Sequence, residues 1–189
     1  GLEDWQMGLL GGPAFAVLYT FLGIPIARLA ERRNRVLIIA GSVLVWSLFT
    51  ALCGFAASFL MLFAFRIGVS IGEAGCTPPA QSLISDYFVP LKRATAVSIY
   101  ALGVPLGGML ASVFGGQLAG LDGAAFGAWL GSIGLGWMFG DLDWSTVEGW
   151  RVAFVVVGVP GMLLGLLVWR TIAEPPRGYT DPAALQGLA

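Results

Sequence analysis

Histidine is absent from this 189-residue sequence, and charge is scarce: lysine, arginine, aspartate and glutamate together make up 11% of it. A soluble domain usually carries about 25% charged residues. Without histidine the chain lacks the commonest metal ligand and the usual base at neutral pH. It also has no HExxH, no Ser–His arrangement and no GxSxG, so an intramembrane enzyme has little to work with. Only two cysteines occur, Cys53 and Cys76, in separate apolar stretches. They read as small buried hydrophobes and not as a disulfide or a metal site. No basic surplus exists: 10 Lys and Arg against 11 Asp and Glu leave a net charge of −1, which excludes a nucleic-acid footprint. The opening GLEDWQMG is acidic and has no basic n-region, so no cleavable signal peptide is expected there. Neither a metal nor a cofactor is implied.

What the chain does have is long apolar runs. It is 57% hydrophobic and holds 28 glycines. These proportions describe an integral, multi-pass, all-α membrane protein whose partner is membrane lipid. Five runs are long enough to span, at about residues 7–27, 36–55, 59–83, 94–119 and 151–169. Between the last two lies an insertion, 121–150. It starts glycine-rich and uncharged (GAAFGAWLGSIGLGWMFG) and ends acidic and Trp-rich (DLDWSTVEGW). The last run contains Pro160–Gly161, which can kink it. Beyond it, residues 173–189 read as a linker or disordered tail.

The third run carries the chemistry. Within FLMLFAFRIGVSIGEAGCTPPAQSLISDY stand Arg66 and Glu73, among Gly68, Gly72 and Gly75. A charge at membrane depth costs several kcal/mol, about 3 on insertion scales, and normally faces a cavity or a partner. Seven residues are nearly two helical turns, so both charges share one face about 10 Å apart. The glycines let neighbouring backbones approach that face. Gly103, Gly107 and Gly115, at four-residue and eight-residue steps in the fourth run, predict a second close-packed stripe. Glu73 is the only carboxylate well inside a span. Held between the cost of burial and the pull of a nearby cation, it can exchange a proton as a cavity opens to either side. A structural charge pair that only locks helices together is the alternative. Glu73 and Asp86 do not suit a catalytic dyad, because 13 residues of helix separate them by about 20 Å.

Charges in the loops set an orientation. Arg28, Arg32, Arg33, Arg35, Lys92, Arg93, Arg170 and Arg177 fall on one side of five spans, and Arg151 on the other. Loops rich in Lys and Arg face the cytoplasm. The N-terminus is therefore expected outside and the C-terminus inside, in a bacterial inner membrane or a plasma membrane. Counting the glycine-rich run as a sixth span would reverse Arg170 and Arg177. It is instead expected to be re-entrant or to lie on the outer surface, with Trp129, Trp137, Trp144 and Trp150 at the interface.

The loop ARLAERRNR, residues 27–35, resembles the signature loop Gly-x-x-x-Asp-Arg-x-Gly-Arg-Arg of the major facilitator superfamily. Glu31 takes the acidic place, and Arg32 and Arg35 take basic places. Ala27, Asn34 and Val36 depart from the pattern, Asn34 mildly, since Asn tolerates a left-handed turn. RIGVSIGEAGCTPPAQSLISDYF, YALGVPLGGMLASVFGGQLA and GWRVAFVVVGVPGMLLGLLVWRTIAEPPRG look like its spinster-like branch. The resemblance implies that the five spans are helices two to six of a twelve-helix secondary transporter, a partial N-terminal bundle over residues 1–172. It further implies that the first helix and the C-terminal half are missing partners. Arg66 and Glu73 would face the central cavity, bind an organic solute (lipid-like or anionic) and couple it to protons. Arg28, Glu31, Arg32, Arg35 and Asp86 would form the cytoplasmic loop and a charge latch, Arg28 and Arg32 chiefly as topogenic charge. The other reading of the same residues is a truncated, non-transporting interaction protein that needs a partner half.

Overall fold

The computed structural model describes residues 3–120, 123–134 and 143–180, and over these the chain is helical, without strands. Five stretches are long and apolar enough to cross a membrane: Asp4–Ala30, Arg35–Cys53, Phe59–Tyr87, Pro90–Gln117 and Gly149–Thr171. These match the five expected spans. The third runs four residues further than expected and the fourth begins four residues earlier.

Three of the five stretches are broken helices, each broken where proline removes a donor. The first is α1 (Asp4–Gly11) and α2 (Pro13–Ala30), which meet at Gly12, with Pro13 opening the new helix. The third is α4 (Phe59–Ala74) and α5 (Thr77–Tyr87). Pro78 and Pro79 cannot donate to the carbonyls four residues back, so the ladder stops at Gly75 and restarts. The fourth is α6 (Pro90–Ala101) and α7 (Gly103–Ala119), where Pro105 has the same effect. By contrast α9 (Gly149–Thr171) runs through Pro160 as one helix.

The unbroken α3 (Arg35–Cys53) is the central post. Its N-cap is Asn34, whose side chain accepts from the Leu37 amide at 2.8 Å. Asn34 has φ −64°, so its value here is capping and not the left-handed turn that comparison with a glycine suggested. Glycine-bearing helices clamp α3 from two sides. On α4, a Cβ added at Gly68 would overlap the Phe49 ring, one at Gly72 the Trp46 backbone, and one at Gly75 the Ser42 hydroxyl. On α9, Gly158 abuts Ala51, Gly161 abuts Ser47, and Gly165 abuts Leu44. Close backbone approach is what membrane helices use for association, since lipid gives no hydrophobic drive between them. Two apolar clusters complete the core, one around Val36, Ile39, Val43, Ala80 and Leu83, the other around Cys53, Ala56 and Leu62.

The stripe expected on the fourth run is not packed. A Cβ added at Gly103, Gly107 or Gly115 would meet no atom of another element within 4 Å among the described residues: α7 packs chiefly on α9 and α6 and turns these glycines outward.

Of the insertion, 123–134 and 143–150 are described. α8 (Gly123–Ser132) has 10 residues, about 15 Å, half a bilayer's apolar thickness. It is too short to span and packs on a turn at Trp144–Thr146. Asp122, Trp137 and Asp141 lie outside the described residues, as does the tail from 181 on. The near part of that tail is ordered by contacts: Ile172–Thr180 lies along the ends of α3 and α5 through the bonds given below.

Candidate functional site

Arg66 and Glu73 project from one face of α4, on either side of Ser70. Ser70 Oγ donates to the Phe15 carbonyl of α2 at 3.1 Å, which pins α4 against α2. Arg66 leans the same way. Its Nε lies 3.4 Å from the Leu10 carbonyl, and its guanidinium sits 5.3 Å from the centre of the Phe15 ring. Both contacts suit a cation at membrane depth, one to a carbonyl freed by the α1–α2 break and one to a ring face. Arg66 also forms part of the wall of a cleft of about 820 Å³ with Met7, Leu10, Phe59, Trp150 and Arg151.

Glu73 does not line that cleft. It is the penultimate residue of α4, beside the α4–α5 break, and is exposed at the surface of this bundle. Its carboxylate makes no hydrogen bond or ion pair among the described residues. The two charges are therefore on one face but not paired with each other. Close by, at the start of α5, Thr77 Oγ1 lies 3.3 Å from the Tyr19 hydroxyl of α2, so two hydroxyl groups border the break next to Glu73.

The second cluster sits at the end of the bundle where α3 begins and α9 ends. Arg35 is only 1% exposed and ion-paired to Asp86. Its Nε donates to Glu174 at 2.7 Å, its Nη1 to Ser82 Oγ at 3.0 Å, and its Nη2 to the Pro175 carbonyl at 3.1 Å. Glu174 in turn accepts from the Arg35 and Val36 amides at 2.9 and 3.1 Å, a carboxylate at the positive end of α3. Asp86 accepts from the Gly178 amide at 3.0 Å. Gly178 has φ +71°, the left-handed region, and that turn is what aims its N–H at Asp86. Arg177 donates to the carbonyls of Ala30 and Arg33 at 2.7 and 3.0 Å, tying the same strap to the α2–α3 loop.

Of the residues expected in the charge latch, Arg35 and Asp86 form one ion pair, and Glu31 does not join them. Glu31, Arg28 and Arg32 are exposed and make no side-chain hydrogen bond or ion pair among the described residues. The acidic partner is Glu174, which sequence reasoning placed in a linker. Its signal was Glu174-Pro175-Pro176-Arg177, a charged and rigid tetrapeptide directly after an apolar helix.

At the opposite end Arg151 closes the α3–α4 turn. Its Nη1 donates to the carbonyls of Gly54 and Ala56 at 3.1 and 2.7 Å, and it lies 3.4 Å from Glu148.

Comparison with known proteins points one way. The sequence profile described as Major Facilitator Superfamily matches residues 5–188. An MFS-type efflux pump of Mycolicibacterium smegmatis is 30% identical over 188 residues, 100% of this chain and 38% of that protein. A gentisate transporter of Corynebacterium glutamicum is 37% identical over 116 residues, 59% of this chain and 25% of that protein. Among solved structures, a bacterial homologue of the human lysosomal transporter Spinster, crystallised inward-facing and unoccupied, superposes with a TM-score of 0.91 at 58% identity. That match covers 96% of this chain and 38% of the other. The chain therefore spans well under half the length of the proteins it matches.

Proposed function

The chain belongs to the major facilitator superfamily, on the spinster-like side of it, and from that premise we propose that it supplies one wall of a proton-coupled carrier for an anionic organic solute. The observation that carries this reading is the face of α4. It holds a cation and a carboxylate two turns apart, with Glu73 exposed and its carboxylate without a hydrogen bond or ion pair among the described residues. In carriers built from repeats, solute and coupling-ion sites lie near the midplane at the interface between repeats. A surface at that depth is where a second wall would close. Arg66 holds the solute's negative group. Glu73 takes up and releases the proton as the cavity faces each side in turn. Gentisate, named for one relative, is a carboxylate of the kind Arg66 would attract.

In this reading the Arg35–Asp86–Glu174 end is cytoplasmic and the Arg151 end extracytoplasmic. Arg35, Asp86 and Glu174 tie three helix ends together in one conformation and part when the bundle rocks. The five spans are helices two to six of the carrier.

The test is transport into energised vesicles by a full-length carrier bearing this segment, with gentisate as the first solute. Glu73→Gln should lose accumulation driven by a proton gradient, while Glu73→Asp keeps part of it. Arg66→Gln should raise the solute concentration needed for half-maximal transport by at least about tenfold, the loss of one charge-assisted contact. Full proton-driven accumulation by Glu73→Gln would refute the assignment.

A further inference from the structure

We propose that α8 is an interfacial anchor, lying in the headgroup region of the bilayer at the end of the bundle opposite Arg35. The proposal stands apart from the transport reading and rests on three observations. The first is the helix's inner face. Gly123 and Leu130 are buried, and Phe126 and Gly127 half-buried, a spacing of three, four and seven residues that marks one side of a helix. This side packs on the turn before α9: Gly123 abuts the carbonyls of Trp144 and Val147, and Gly127 abuts the Trp144 ring. The second is depth. Val147 stands two residues before Gly149, where membrane-spanning α9 begins. The start of α8 is therefore level with the end of a spanning helix, not out in solvent.

The third is the chemistry of the outer face. It carries Ala125, Ala128, Trp129 and Ser132, and residues 123–134 contain no charged side chain. A helix face turned to water normally carries charge. Here Trp129 is 54% exposed instead. Its ring stacks on Phe126 at 5.7 Å, and Phe126 meets Trp144 edge-on at 5.6 Å. Trp150, at the start of α9, adds a fourth ring at the same end. Tryptophan prefers the membrane–water boundary, where the ring rests against acyl chains and the indole N–H reaches polar groups. At about 15 Å, α8 is too short to enter the apolar core and cross it. The partner that fits an uncharged, aromatic, short helix at this depth is the phospholipid interface.

Fluorescence of the whole chain reconstituted in phosphatidylcholine vesicles tests this. The emission of Trp129 is taken as the difference between the unchanged chain and Trp129→Phe. A second variant, Ala128→Trp, adds a reporter on the same outward face without removing anything. Both signals should be quenched strongly by lipids brominated near the glycerol end of the acyl chain. Lipids brominated near the chain terminus should quench them weakly, and so should aqueous iodide. Strong iodide quenching with no effect of brominated lipid would place α8 in water and overturn the proposal. Strongest quenching from the chain terminus would make it re-entrant, and protection from every quencher would mean that protein covers it. Either result also overturns the proposal.

Discussion

Arg35 is the residue whose environment is most fully specified. Its guanidinium is 1% exposed and meets two carboxylates, the hydroxyl and carbonyl of Ser82, and the Pro175 carbonyl. A buried charge tolerates the loss of one partner poorly. Asp86→Asn and Glu174→Gln should each cost about 2 kcal/mol, the scale of a hydrogen bond to a charged group. The double variant should cost about 3–5 kcal/mol, since it strands the cation. Glu31→Gln should change nothing measurable. Thermal unfolding of the detergent-solubilised chain reads all four, and equal shifts for Glu31 and Glu174 would contradict the network. Asp143 gives a pH prediction outside the membrane spans. Hydrogen bonds from the Ser145 hydroxyl and amide hold its carboxyl below the usual carboxylate range. A lowered folded-state pKa means stabilisation present above the unfolded pKa and lost as pH falls through the lower, folded value. The turn at Trp144–Thr146 should therefore loosen only on acidification below the ordinary carboxylate range. Trp144 emission against pH should follow that course in the wild type and flatten in Asp143→Ala.

At the scale of elements, two glycine stripes against one helix make a sharper claim than glycine content does. Gly68→Leu on α4 and Gly161→Leu on α9 push side chains into Phe49 and Ser47, and each should cost about 1–3 kcal/mol by overpacking. Gly107→Leu, facing open space, should leave the unfolding midpoint of this chain unchanged. The α4 stripe was legible only as spacing: Gly68, Gly72 and Gly75 pack on α3, on the side of α4 away from Arg66 and Glu73 and not around the charged face where they were expected. The α9 stripe was not legible, since Pro160–Gly161 reads equally as a kink, and spacing alone does not say which face meets a partner. The same ambiguity made Gly103, Gly107 and Gly115 look packed. Helix breaks were legible only in part. Pro13, Pro78, Pro79 and Pro105 are visible in the sequence, but membrane helices tolerate proline when neighbours satisfy the freed carbonyls. Pro160 shows this by interrupting nothing.

For the whole molecule, the number of spans and the two ends of the bundle could be read from apolar length and the sorting of arginines. Both are one-dimensional properties of a chain in a layered solvent. Long-range pairings could not be read. Arg35 and Glu174 are 139 residues apart, and no local pattern links them. Arg66 and Glu73 stand out in the sequence because charge is rare at that depth, yet their separate surroundings, a cleft for one and an open face for the other, needed the fold. The central claim is that Glu73 carries the coupled proton. The most direct measurement is proton exchange with a weakly buffered solution, followed with a pH-sensitive dye, when solute is added to a purified full-length carrier bearing this segment. The account predicts a solute-dependent proton movement that disappears in Glu73→Gln while solute binding persists. A proton movement of unchanged size in Glu73→Gln would contradict it.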